Sequence, residues 1–169
     1  MIQSGAPAAW FTCLGLPLVE AEASDLTAYL IGIGLGANTP VVQVDSWQAA
    51  EATLKNPQWD QSWWQAEEVE RARLLKQCGG SNAALNTLTQ ATDAVTESLH
   101  GAAAIAAARV GLGDPYLVRV AAGAALQAVH QAALAELAGE QDHFFIKKRG
   151  LFVSGHWLLG MYAGHFFLF

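Results

Sequence analysis

"RGLFVSGHWLLGMYAGHFFLF", residues 149–169, is the stretch whose reading decides the fold. It follows Lys147 and Lys148, and after Arg149 it contains no Lys, Arg, Asp or Glu. About 20 apolar residues of helix cross the hydrocarbon of a bilayer and a basic flank orients them, so residues 150–169 have the outline of a tail anchor. Three features count against it. Ser154, His156 and His165 interrupt the apolar run, Gly155, Gly160 and Gly164 weaken a lipid-facing helix, and the aromatic residues do not gather at the two ends.

A second pattern favours strands. "GHWLL" at 155–159 returns nine residues later as "GHFFL" at 164–168, so Ser154-Gly155 and Ala163-Gly164 read as turns between β-favouring runs at 151–153, 156–162 and 165–169. A short antiparallel meander is expected, with helices on one face and a second subunit on the other, because its apolar residues are too many for one face. His156 and His165 would open adjacent strands, but two imidazoles without a nearby cysteine or acid do not make a metal site.

Working outward, 169 residues fit one domain, 1–169, and 53% apolar with only 14% charged residues requires extensive burial, including burial between subunits. The net charge is −6, and Arg71, Arg73, Arg109 and Arg119 are spread along helical segments, so the clustered footprint that nucleic acid requires is missing. Cys13 and Cys78 have no redox or zinc spacing, and the opening "MIQSGAPAAWFTCLGLP" lacks the basic start and unbroken apolar core of a leader. A soluble protein of the reducing cytoplasm is the expectation.

The remainder reads as helix. "SDLTAYLIGIGLG" starts at Ser24 and Asp25, "PVVQV" at 40–44 is extended, and Asp45 or Ser46 caps "WQAAEATLK". "NPQWDQSWWQAEEVERARLLKQCGG" has Asn56 as cap, Pro57 at the first helical position and Gly79-Gly80 at the stop. From Ser81 to about Gly111 runs one long helix, or two joined near Gly101. Asp114-Pro115 starts another, whose alanines on several faces place it centrally, and Gly139 closes it. The fold class is mainly α, a bundle-like single domain with a short C-terminal antiparallel β-meander, becoming α+β if the strand around 41–44 also joins.

Candidate chemistry is sparse. On the Trp-rich helix Glu67 and Arg71 stand at i, i+4 among Trp63, Trp64, Leu74, Leu75 and Cys78, which predicts a partly desolvated ion pair. On the central helix Tyr116, Arg119, Gln127, His130 and Gln131 share one arc. A small-molecule or catalytic site would therefore use Glu67, Arg71, Arg119 and His130, in a polar pocket between these two helices.

Glu97-x-x-His100 and Glu140-x-x-His143 have the spacing of a carboxylate-bridged di-metal bundle, but Glu97 points away from the apolar stripe of Leu85, Leu88, Val95 and Leu99, and a bridging acid on the third helix is missing. "GIGLGA" at 32–37 loosely fits a dinucleotide fingerprint, yet no helix follows it. No nucleophile and base can be assembled from the scattered histidines and two cysteines. The reading is an accessory or regulatory protein acting by protein–protein contact or self-association as a homodimer, with no cofactor, no nucleic acid and no membrane span. The alternatives are the pocket protein or enzyme and the di-metal protein.

Overall fold

The computed structural model describes residues 8–169, so the first seven residues of the leader reading lie outside the described residues. Helix α1 spans Glu20–Gly32. It starts four residues before the expected Ser24, because Glu22 reaches back to accept the Val19 amide at 2.9 Å and so satisfies an otherwise orphaned donor. Strand β1, Val41–Gln43, follows, and α2, Trp47–Leu54, is capped by Ser46, whose hydroxyl accepts from the Ala49 amide.

Helix α3 spans Gln61–Gln77 and is capped by Asp60, not Asn56. Tertiary pairing overrides the local signal. The Asp60 amide donates to the Met161 carbonyl and the Gln58 carbonyl accepts from the Ala163 amide, so this stretch is taken by the sheet edge and cannot enter a helix. Helix α4, Asn82–Arg109, runs unbroken through Gly101, and Asp114 caps α5, Pro115–Leu137, with Pro115 at the first position.

Helix α6, Phe144–Val153, is absent from the sequence reading, which made 151–153 a strand. These residues form its last turn, with Phe145, Lys148, Leu151 and Phe152 directed inward at helical spacing and His143 as the cap. Strands β2, Leu158–Tyr162, and β3, His165–Leu168, pair antiparallel with the expected turn at Ala163-Gly164. The third strand is β1, parallel to β3 in register Val41↔Phe166 to Gln43↔Leu168, giving the order β1-β3-β2. The molecule is therefore mainly helical with a short C-terminal sheet, and the strand near 41–44 does join it. Gly160 (φ +121°) lies under Trp63, where a β-carbon would come within 2.6 Å of the indole.

Helix α5 lies at the centre, flanked by α3, α4 and α6, with α1 against α6. Buried Ala103 and Ala107 of α4 face a core that includes Ala121, Ala125 and Ala128 of α5, and small side chains let the two backbones approach closely. Beneath the sheet, Trp47, Trp157 and Phe169 pack with ring centroids 5.7 to 6.4 Å apart. No described helix is long and apolar enough to cross a membrane; residues 150–169 end α6 and build β2 and β3, largely buried.

Candidate functional site

Four helices each contribute one polar side chain to a point inside the core. Glu67 of α3, Gln131 of α5 and Tyr29 of α1 are fully buried, and Lys148 of α6 nearly so. The Lys148 Nζ donates to Glu67 Oε1 at 2.6 Å and to Gln131 Oε1 at 2.9 Å, and lies 5.7 Å from the centroid of the Tyr29 ring. The Tyr29 hydroxyl donates to Glu67 Oε1 at 2.5 Å, and Gln131 Nε2 donates to Glu67 Oε2 at 3.0 Å. Burial, reinforced by the Glu67 charge and hydrogen bond, pushes the Tyr29 phenol well above its ordinary range, so it stays neutral. Buried ions are tolerated only when their remaining valences are met, and here they are met from all sides. The cluster is closed: it orients four helices and presents no group to a substrate.

The proposed site residues separate around it. Arg71 does not pair with Glu67; it holds Glu68, with its closest contact at 2.7 Å. His130 is half-buried, and burial together with the Arg71 charge holds its imidazole below the ordinary range. Arg119 is exposed on α5. Glu67 thus faces inward while Arg71, His130 and Arg119 stay at the surface, and none of the four lines either cavity described below.

A second polar cluster ties α3 to the α5–α6 turn. Arg73 donates to both oxygens of Glu70, at 2.6 and 2.8 Å, and to Glu140 at 2.9 Å, while His143 Nε2 meets Glu70 Oε1 at 2.7 Å. Arg73 is the main influence holding the Glu70 carboxyl below its ordinary range, burial opposes it, and His143 adds to it. Glu70, Glu140 and His143 bring three potential metal-binding atoms within 4.8 Å of one another, beside a cavity of about 580 Å³. Glu140 and His143 therefore do come together, but with Glu70; Glu97 and His100 lie exposed on α4 and belong to no such group among the described residues.

Chemistry argues against an ion in this cluster. His143 Nδ1 accepts the Phe145 amide at 3.1 Å, so the proton of a neutral ring sits on Nε2 and points at Glu70. Metal ligation would require that proton to leave and the guanidinium of Arg73 to withdraw from between the two carboxylates.

The paired histidines of the C-terminal repeat also diverge. His156 is buried with Nε2 3.2 Å from Glu22, whereas His165 is exposed and turned to the Ala163 carbonyl. Gly32, Gly34 and Gly36 belong to the end of α1 and the turns after it, not to a strand–helix phosphate loop. Cys13 and Cys78 are free and partly buried. Glu67 was visible in the sequence only as a member of an amphipathic arc, and Lys148 only as part of a basic run; nothing local linked residues 81 positions apart. No protein-family model matches the chain, and no curated protein or solved structure matches it either.

Proposed function

We propose that the protein is an accessory or regulatory module that works by self-association through the outer face of α4. The supporting observation is a stripe on that helix. Ala83, Thr87, Gln90, Ala94, Ser98, Gly101, Ile105 and Ala108 are all exposed, and at 100° per residue they fall within an arc of about 80° that carries no charge. The arc continues for nearly the whole of a helix about 42 Å long, and spacings of three and four residues are those of a helix–helix seam. Small side chains admit a close antiparallel neighbour, and Ile105, 56% exposed, supplies an anchor. One helical face lies at the small end of stable interfaces, so a reversible dimer is expected and not a permanent one.

Sedimentation equilibrium from about 5 to 200 µM tests this reading on the range where small interfaces dissociate. Mass should rise toward the dimer with concentration, and Ile105→Glu should hold the chain monomeric with an unchanged circular dichroism spectrum. A wild-type chain that stays monomeric throughout, or a dimer indifferent to Ile105→Glu, overturns it.

A further inference from the structure

The two cavities differ in how their charged groups are used. Around the larger one the charges neutralise one another: Glu70 and Glu140 hold Arg73, and Asp142 holds Lys147 at 2.9 Å. The smaller, of about 240 Å³, lies between the N-terminal loop, the start of α2 and the end of α4. Its apolar wall includes Phe11, Trp47, Val110 and Phe169, and its charged groups are Asp45 and Arg109. Both are exposed to solvent, neither makes a side-chain hydrogen bond or ion pair with any described residue, and they do not pair with each other. One cavity therefore carries a free anion, a free cation and an aromatic wall.

We propose that this cavity binds a small zwitterion with an apolar side chain, that is, an apolar or aromatic α-amino acid. The ligand carboxylate meets the Arg109 guanidinium, its ammonium meets the Asp45 carboxylate, and its side chain lies against Trp47 and Phe169. Pockets for drug-sized molecules begin at about 300 Å³, so this volume selects a smaller ligand. A ligand bearing only a carboxylate forgoes the Asp45 contact and a bare amine forgoes the Arg109 contact, so each singly charged ligand loses one charge-assisted hydrogen bond. Two further features border the cavity. Phe11 is held at φ +59°, a left-handed conformation that a bulky residue rarely adopts. Of the first-turn amides of α2, that of Ala49 is taken by the Ser46 hydroxyl, while those of Trp47 and Gln48 have no helical acceptor.

Asp45 and Arg109 also stand where helix dipoles favour their signs, before α2 and in the last turn of α4. Ligand discrimination separates that role from binding. Isothermal titration of the full chain with L-phenylalanine, 3-phenylpropionate and phenethylamine, with the Trp indole N–H resonances followed by NMR, is the experiment. L-phenylalanine should bind at least about tenfold more tightly than either singly charged analogue, and Arg109→Gln and Asp45→Asn should each weaken it about tenfold or more while leaving the circular dichroism spectrum unchanged, a factor matching loss of one charged contact. Equal affinity for the three probes, no binding of L-phenylalanine at 10 mM (about the weakest range worth calling a site), or binding untouched by both substitutions overturns the proposal. The two readings are told apart by their readouts: self-association is read from mass, and the cavity from ligand discrimination at a protein concentration where the chain is monomeric.

Discussion

The α3–α6 side and the α4–α5 side of this molecule hold helices together by opposite means. Around α3 and α6, ion pairs and hydrogen bonds join side chains far apart in sequence: Lys148 to Glu67, His143 to Glu70, Arg73 to Glu140. Between α4 and α5, alanines occupy the core-facing positions and the two helices carry few charges between them. The first arrangement specifies which groups must meet and tolerates no missing member. The second depends on backbone proximity and tolerates no added volume. The difference explains why a chain so poor in charge spends a buried ion pair at its centre: small, nearly uniform helix faces leave register open, and four directional hydrogen bonds close it.

The largest expected effect comes from breaking the polar side. Lys148→Met leaves the Glu67 carboxylate buried without its cation and should lower unfolding free energy by about 3–5 kcal/mol, read from urea denaturation. Adding Glu67→Leu should recover about half of that loss, because the stranded charge is gone while Gln131 and Tyr29 still lack their acceptor. A single variant as stable as wild type would show that the tetrad is not what aligns the helices.

An intermediate effect tests the alanine side. Ala125→Leu places three more carbons where the side chain is fully buried in the α5 core, and should cost about 1–3 kcal/mol in the same assay. A neutral result would mean that the core around α5 is loosely filled and that close approach is not the rule there.

The smallest effect sharpens the picture at the edge of the polar side. Glu70 has its carboxyl held below its usual 4.5, so its stabilising contribution is complete above about pH 4.5 and fades as pH falls through the folded-state value. Arg73→Gln removes the main cause. Its deficit against wild type should be greatest near pH 6 and close toward pH 3, and should stay below about 1 kcal/mol because Arg73 is 45% exposed. A deficit that is flat across this range would assign Arg73 to packing.

Helix signals that act within a few residues were legible. Ser46, Ser81 and Asp114 cap the helices expected of them, Gly79 and Gly139 stand just beyond helix ends, and the repeated glycine-histidine runs do lead into the two paired strands. Asn56-Pro57 failed because its neighbours bond the sheet edge. Residues 151–153 failed because an aromatic run of this length suits a strand or a buried helix equally, and the helical choice depends on what Leu151 and Phe152 pack against. The candidate site was legible in its residue types only: Glu67 stood out as an acid inside an apolar arc, but its cation was assigned by spacing to Arg71.

By itself the sequence determined the class of the fold, the starts of α2, α4 and α5, the glycine stops after α3 and α5, the scattered placing of the arginines, and the β character of the two glycine-histidine runs, since capping, glycine conformation and charge composition act locally or in sum. Tertiary structure alone decided that β1 supplies the third strand, that α6 exists, that Lys148 and not Arg71 answers Glu67, and that Asp45 and Arg109 border one cavity. Those outcomes depend on which surfaces come together, and a partner dozens of residues away leaves no mark on the local spacing of the residue that waits for it.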